Sequence, residues 1–142
     1  MKLNKVIAPT DNIRDELIEF GVPTEHVVTI PTGIDTDRFE EETVYDIRKE
    51  YNITDEHKIL LFVGRLAKEK NIDFLIEVFD EYVKKDKNAR FVIVGDGNER
   101  EHLEKIVEDK NLKNEVIFTG ALPREKVIDV YKEADLFIFA SY

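Results

Sequence analysis

Short apolar runs alternate with amphipathic segments along most of the chain, and this alternation predicts its secondary structure. Nearly continuous apolar runs predict strands at 58–64, 90–95, 115–120 and 135–141. Apolar residues at helical spacing predict helices at 71–86, 98–110 and 123–134, the first with an inward face of Ile72, Leu75, Ile76, Phe79 and Tyr82. Strands that are apolar on both faces belong between two layers of helices. The pattern therefore predicts an α/β fold with a doubly wound, Rossmann-like parallel sheet.

The first 57 residues follow the same alternation less regularly. They predict a strand at 5–8, a helix at 11–21 that ends at Gly21, a strand at 26–30 and a short helix at 44–52. In the first of these helices, Ile13, Leu17 and Phe20 share one face. The intervening segment begins PTGIDTDRF, and its Pro, Gly and polar residues are typical of a linker.

The composition excludes several classes of protein. The 142 residues include 31 acidic and 21 basic side chains, and the resulting net charge of −10 disfavours binding to nucleic acid or to an anionic membrane surface. Because no Cys is present, neither disulfides nor thiolate chemistry is expected, and a cytoplasmic location fits. The apolar runs are too short for a membrane span or a signal peptide. His26, His57 and His102 lie in unrelated segments and predict neither a metal site nor a triad.

Three cations, Arg65, Lys68 and Lys70, lie in one strand-to-helix loop, within the stretch ILLFVGRLAKEKNIDFLIEVF. The carboxyl ends of parallel strands are where sheets of this class bind ligands. Gly64 permits a sharp turn at the end of the strand. Because Arg65 and Lys70 can form charge-assisted hydrogen bonds with phosphate oxygens, the loop predicts an anion site.

The start of the following helix supports this prediction but leaves an alternative open. Asn71 is a candidate N-cap, and unpaired amides at a helix start attract anions. Alternatively, the cations belong to a solvated surface loop in which Glu69 and Asp73 are partial partners. The residue pattern alone gives the two interpretations similar weight.

A second loop, VGDGNER at 94–100, resembles the dinucleotide-binding fingerprint G-x-G-x-x-G, with Arg100 in place of the third glycine. The next predicted strand ends in Thr119 and Gly120 and offers no acidic residue to hold a ribose. A nicotinamide cofactor is therefore not expected. The alternative for this loop is a tight turn that binds nothing.

Four segments in order resemble the retaining family 4, or group 1, glycosyltransferases of the GT-B fold. They are VTIPTGIDTDRF at 28–39, FVGRLAKEKN at 62–71, FVIVGDGNERE at 91–101 and VIFTGALPREKVIDVYKEADLFIFAS at 116–141. The likeness covers nearly the whole chain, and its specificity lies in the order and spacing of the four motifs. In this family two Rossmann-like domains face each other across a cleft, the C-terminal one binding a nucleotide-sugar donor and the N-terminal one the acceptor.

The resemblance implies roles for residues of both loops. Arg65 and Lys70 match the family's Arg and Lys that hold the diphosphate of a UDP- or GDP-linked sugar, and they are expected to face one another across a pocket. Lys68 matches no motif position. No cofactor and no metal are implied. The other implied donor contacts are a close approach at Gly64, a turn near the nucleotide at Gly95 and Gly97, and a backbone that meets the base at Thr119, Gly120, Ala121 and Leu122.

The resemblance also implies that the chain is an incomplete GT-B enzyme. Residues 1–30 match the end of the acceptor domain, 31–44 the interdomain linker, and 45–142 a truncated donor domain. The family's E-x7-E motif, whose glutamates contact the donor sugar and the ribose, is expected just beyond Ser141. The parent is therefore expected to be a hexosyltransferase. This chain alone is expected to be inactive, to hold no catalytic residue and to self-associate through uncovered surfaces.

PTGI at 31–34 and FIFAS at 137–141 further resemble the branch that glucosylates diacylglycerol, which implies a lipid acceptor and a parent peripheral to the membrane. Two alternatives stay open. One is a non-catalytic nucleotide-binding or scaffolding module that kept the fold, and the other is a sugar-nucleotide epimerase of the GT-B fold. The retained Arg65 and Lys70 favour the transferase.

Overall fold

The computed structural model describes residues 4–141 and divides the chain into two compact units, with the boundary between Asp37 and Arg38. This boundary falls inside the segment expected to be a linker. Residues 1–3 and 142, which the predicted domain bounds include, lie outside the described part of the chain.

The first unit is a small strand–helix–strand arrangement of β1 (Val6–Ala8), α1 (Asp11–Glu19) and β2 (Val27–Thr29), with the two strands parallel. Its helix ends as predicted, because Gly21 adopts a φ of +95° that other residues rarely adopt. The predicted helical face of Ile13, Leu17 and Phe20 does not extend to Phe20. Phe20 follows the last helical residue and is 87% exposed, because so small a unit has little apolar surface to pack it against.

The second unit contains the predicted four-stranded parallel sheet, with the strand order β5-β4-β3-β6. Its strands are β3 (Lys58–Val63), β4 (Ala89–Val94), β5 (Val116–Gly120) and β6 (Leu136–Phe137). Its α-helices within the described residues are α2 (Ile47–Glu50), α3 (Ile72–Val83), α4 (Arg100–Asp109) and α5 (Arg124–Glu133). The chain runs outward from β3 to β5 and then returns to the other side of β3, so the order reverses next to β3.

Helices cover both faces of this sheet, which confirms the doubly wound α/β class. One apolar cluster joins α3 and α4 to one face, and a second joins α2 and α5 to the other. Along β3, the side chain of Leu61 packs into the second cluster and that of Phe62 into the first, because successive strand residues point to opposite faces. The strands are therefore apolar on both faces because helices cover both sides of the sheet, as predicted.

One predicted inward residue and two predicted boundaries need correction. The inward face of α3 uses Val83, which is 4% exposed, whereas Tyr82 is 38% exposed. The strand predicted at 135–141 is only the two residues of β6, which pairs with β3. The helix predicted at 44–52 is also shorter, because Asp46 caps it by accepting a hydrogen bond from the backbone N–H of Lys49 (2.9 Å).

A buried carboxylate holds the segment before α2. Asp129 on α5 is 2% exposed, and its Oδ2 accepts hydrogen bonds from the backbone N–H groups of Val44 (2.9 Å) and Tyr45 (3.0 Å). Lys132 lies 3.3 Å from its Oδ1. Burial alone would raise the pKa of Asp129, but the bonds from Val44, Lys132 and Tyr45 outweigh it and leave that pKa lowered. Asp129 therefore stays ionised and ties together segments about 85 residues apart.

Candidate functional site

Three glycines meet at the carboxyl ends of neighbouring strands. Gly64 follows β3, Gly95 follows β4, and Gly120 ends β5. The backbone N–H of Gly64 donates to the carbonyl oxygen of Val94 (2.9 Å), and that of Gly95 donates to the carbonyl oxygen of Gly120 (2.9 Å). These bonds continue the sheet past its regular strands and form an edge without Cβ atoms, which we call the glycine edge (Gly64, Gly95 and Gly120).

Close contact between backbones explains two glycines in this region. A Cβ atom at Gly95, where φ is +139°, would overlap the carbonyl oxygen of Gly64. A Cβ atom at Gly97 would overlap the carbonyl oxygen of Leu66. Gly64 itself does not adopt a left-handed φ, so the predicted need for glycine to make a sharp turn there is wrong. Its added Cβ would instead lie 3.1 Å from Cζ of Phe62.

The cation-bearing loop is fixed to the β4–α4 loop through its backbone. The N–H of Leu66 donates to the carbonyl oxygen of Asp96 (2.9 Å), and the carbonyl oxygen of Leu66 accepts from the N–H of Glu99 (3.1 Å). Leu66 is fully buried, and Ala67 is 7% exposed. Because these two residues anchor the loop, the adjacent Arg65 side chain projects from it and is 71% exposed.

The loop supplies its own counter-ion. Nη2 of Arg65 lies 2.6 Å from Oε1 of Glu69, so Arg65 has a carboxylate partner four residues along the chain. A bond from its own backbone N–H, followed by the bond from Arg65, lowers the pKa of Glu69, and the charge of Lys70 adds a smaller effect. Glu69 therefore moderates the repulsion between the like charges of Arg65 and Lys70. The loop does not need a bound anion to hold its charges.

The helix after the loop begins differently from the prediction. Asn71 occupies the N-cap position of α3, but its side chain makes no capping hydrogen bond. It adopts a left-handed backbone (φ 52°), which links the 3-10 turn Lys68–Lys70 to the helix. The prediction of side-chain capping is therefore wrong, and Asn fits because it tolerates this backbone conformation better than most residues.

The segment expected to meet a nucleotide base presents little side-chain chemistry. The hydroxyl of Thr119 donates to the carbonyl oxygen of Gly120 (2.8 Å), and Gly120 is buried with φ +73°. Leu122 packs at the margin of the cluster under α5. Ala121 is exposed. A ligand here would meet the backbone and the small side chain of Ala121.

A cavity of about 400 Å³ lies beside these loops, between the starts of α3 and α4. Its polar lining comes from Lys68, Asp73, Glu99 and His102, and it includes neither Arg65 nor Lys70. Neither Glu99 nor His102 was predicted from the sequence to line a site. The signal that could have indicated them is the topology, because helices that follow adjacent parallel strands begin side by side. Within residues 4–141, no group of three or more His, Cys, Asp or Glu is placed to hold a metal ion.

Arg100, which stands where the dinucleotide fingerprint has its third glycine, also lies at this end of the sheet. It is the first residue of α4, and its Nη1 lies 3.2 Å from the position that a Cβ of Gly120 would take. The guanidinium therefore lies over the end of β5, at the glycine edge.

Among the described helices, none is long and apolar enough to cross a membrane.

Two protein families together match nearly the whole chain. The family described as "Glycosyl transferases group 1" matches residues 44–142, and "Glycosyltransferase Family 4" matches residues 2–38. The chain is 34% identical, over 96% of its length, to the alpha-monoglucosyldiacylglycerol synthase of Streptococcus pneumoniae and covers 32% of that protein. It is 32% identical, over 95% of its length, to the protein of the same name from Acholeplasma laidlawii and covers 35% of it. The chain thus spans about a third of these curated relatives.

A solved structure agrees with these matches. The pneumococcal O-GlcNAc transferase GtfA, crystallised with UDP and GlcNAc, is 26% identical and superposes with a TM-score of 0.72. The match covers 97% of this chain and 26% of that one. The structural neighbours are glycosyltransferases of the GT-B fold, so the expected fold is confirmed, and the chain corresponds to part of it.

Proposed function

The chain belongs to the glycosyl transferases of group 1, and we propose that it forms the donor-diphosphate part of an enzyme that transfers a sugar from a nucleotide sugar to an acceptor. One observation carries the proposal. The loop with Arg65 and Lys70 is anchored by buried Leu66 at the carboxyl end of β3, next to the glycine edge. This is the end of a doubly wound sheet where ligands bind, beside the point at which the strand order reverses.

The chemistry of the loop suits a leaving diphosphate. Negative charge grows on the diphosphate as the bond to the sugar breaks, and cations aimed at that charge lower the barrier. The exposed Arg65–Glu69 pair is screened by solvent and is worth little, so Arg65 can exchange Glu69 for a phosphate at small cost. We assign Arg65 and Lys70 to the diphosphate and the backbone at Gly95, Gly97 and 119–122 to the nucleoside.

Finer features of the parent enzyme are part of this proposal. The donor is a UDP- or GDP-linked sugar, the transfer proceeds with retention, and the acceptor is a lipid in the parent. The relatives named as alpha-monoglucosyldiacylglycerol synthases support the lipid, and the peripheral membrane location follows from it. The 142 residues alone are proposed not to transfer sugar, because a retaining transfer needs donor, acceptor and the sugar-facing glutamate of E-x7-E in one closed cleft.

One observation favours a different function, a non-catalytic module. Arg65 already has a carboxylate partner at 2.6 Å, so its charge has a counter-ion without a ligand. A module that kept the fold and lost donor binding would show the same pairing. Measurement of diphosphate binding separates the two functions.

We expect the chain to bind a nucleoside diphosphate at about millimolar Kd, roughly −4 kcal/mol, and more tightly than the matching nucleoside. Arg65→Ala and Lys70→Ala should each weaken this binding about tenfold or more, because each removes a charge-assisted bond worth about 1.5–3 kcal/mol. Lys68→Ala is the matched control and should change it little. Ligand-observed NMR titration of the four proteins makes the comparison.

Two results would contradict the assignment. One is a diphosphate that binds no better than its nucleoside, which would favour the non-catalytic module. The other is a loss in Lys68→Ala as large as in the other two variants, which would show a diffuse charge effect in place of a site.

We also propose that the chain self-associates through β6. This strand pairs with β3 at the edge of the described sheet and leaves Leu136, Phe137 and Phe139 between 43% and 67% exposed. An apolar edge strand pairs readily with another chain. Light scattering at tens of micromolar should show a dimer or larger species, and Phe139→Asp should shift it towards monomer. A strict monomer for the unmodified chain would refute this expectation.

A further inference from the structure

The carboxylate of Glu69 is bound by the same kinds of groups that would bind a diphosphate. Its Oε1 lies 2.6 Å from Nη2 of Arg65, and it also accepts a hydrogen bond from its own backbone N–H. The positive charge of Lys70 acts on it as well. Guanidinium, ammonium and backbone N–H groups are the usual partners of phosphate oxygens in proteins. The loop therefore carries an anion of its own, supplied by the chain.

The contact occupies the part of Arg65 that a phosphate needs. A guanidinium binds an oxyanion most strongly through two parallel N–H groups, and Nη2 belongs to both of the pairs that can present this geometry. Within residues 4–141, only Glu69 forms a hydrogen bond or an ion pair with the Arg65 side chain. Because both side chains are open to solvent, either can turn away without disturbing the buried Leu66 that anchors the loop. A phosphate that binds Arg65 at two points must displace the carboxylate.

We propose that Glu69 is a displaceable internal counter-ion, whose carboxylate takes the anion position of the loop until the donor diphosphate displaces it from Arg65. This inference rests on the proposed function, since it requires that the diphosphate binds to Arg65. Glu69 lowers the affinity of the loop for every diphosphate by the same factor and does not choose between nucleosides. Between binding events it compensates the like charges of Arg65 and Lys70.

Competition of this kind eases release of the product. The diphosphate carries more negative charge after transfer than before, because its bond to the sugar has broken. As a phosphate oxygen leaves Arg65, the carboxylate of Glu69 can take its place, so the guanidinium is not left without an acceptor. Product release limits the turnover of many enzymes. Glu69 therefore costs the site little donor affinity, since the ion pair is exposed, and speeds the departure of the diphosphate.

A positioning role for Glu69 predicts the opposite result. If Glu69 only oriented Arg65 towards the phosphate, its removal would leave the guanidinium free to rotate and would weaken diphosphate binding. If Glu69 competes with the phosphate, its removal strengthens that binding. The sign of the change in affinity therefore separates the two roles.

The test is an NMR titration of UDP and of uridine into the wild-type chain and two variants with the same change in charge. Glu69→Gln should bind UDP about two- to fivefold more tightly, the range expected when an exposed ion pair no longer has to be broken. Asp73→Asn is the matched control, because the exposed Asp73 pairs with neither Arg65 nor Lys70 among the described residues. It should change the UDP affinity by less than about 1.5-fold, since solvent and salt screen its charge. Uridine binding and the melting temperature should stay the same in all three proteins.

Each other outcome overturns the inference in a recognisable way. Equal gains in Glu69→Gln and Asp73→Asn would show a general effect of negative charge near the loop. An unchanged or weaker UDP affinity in Glu69→Gln would overturn the competition, while diphosphate binding, and so the proposed function, stands. Glu69→Ala provides a second measurement and should gain at least as much as Glu69→Gln, because alanine offers Arg65 no side-chain oxygen. If neither the wild-type chain nor Glu69→Gln binds UDP better than uridine, both the inference and the proposed function fail.

Discussion

Gly95→Ala is expected to lower the free energy of unfolding of the second unit by about 2–6 kcal/mol. Alanine at this position is destabilised by its backbone conformation and by a steric overlap of its Cβ. Its φ of +139° is a conformation that costs a residue with a side chain about 1–3 kcal/mol, and the new Cβ overlaps the carbonyl oxygen of Gly64. Relief requires β3 and β4 to separate at their carboxyl ends, which adds an overpacking cost of about 1–3 kcal/mol.

Urea denaturation followed by circular dichroism measures this loss, and other glycines serve as graded controls. Gly97→Ala should also be severe, because its Cβ overlaps the carbonyl oxygen of Leu66. Gly64→Ala should be milder, since its Cβ meets only a Phe62 ring atom at 3.1 Å. Gly33→Ala should change stability least, because nothing lies within 4 Å. A loss below about 1 kcal/mol in Gly95→Ala would mean that the strand ends are not held in this contact.

Asp129→Ala is expected to cost about 3–5 kcal/mol, the usual loss when one partner of a buried charged pair is removed. The substitution leaves the N–H groups of Val44 and Tyr45 without their acceptor. It also removes the carboxylate beside Lys132, whose ammonium keeps, among the described residues, only its bond to the carbonyl oxygen of Glu41. The segment that leads into α2 should then detach from α5. Because Asn keeps one acceptor oxygen, Asp129→Asn should cost less than Asp129→Ala.

Thermal and urea unfolding of these variants, with the exposed Asp55→Ala as control, tests this contribution. The pKa of Asp129 is lowered in the folded state, so its stabilisation is complete above the unfolded-state pKa of about 3.9 and disappears as pH falls through the lower folded value. The stability gap between wild type and Asp129→Asn should therefore close in strongly acidic solution. A gap that is the same at pH 7 and at about pH 2 would show that the charge of Asp129 is not what holds the segment.

Local pattern was enough to predict most elements of the second unit. The strand KILLFV at Lys58–Val63 is apolar at every position after Lys58, and helices such as α3 repeat apolar residues at helical spacing. Burial on both faces leaves few alternatives to a parallel sheet between helices. Boundaries were less predictable. The side-chain cap at Asp46 shortens α2, and competition between Tyr82 and Val83 for the inward position depends on what α3 packs against.

In the candidate site, too, the sequence predicted the residue types but not the contacts between them. The residue types in the loop, Arg65 and Lys70 after an apolar strand, indicate an anion site from the sequence, and the assignment of these residues to a diphosphate is still a prediction. The sequence alone could not show that Glu69 pairs with Arg65, because two neighbouring carboxylates, Glu69 and Asp73, were available to the loop cations. Only the folded loop selects one.

The sequence by itself determined the fold class, the family resemblance and the loops that carry charge, because these depend on residues close together in the chain. Tertiary structure alone decided the contacts between distant segments. It brought Gly64 against Gly95, Arg100 over Gly120 and Asp129 to the N–H groups of Val44 and Tyr45. The physical reason is that strand order and helix packing set these distances, and periodicity along the chain specifies neither which strand lies beside which nor which buried donor a carboxylate will meet.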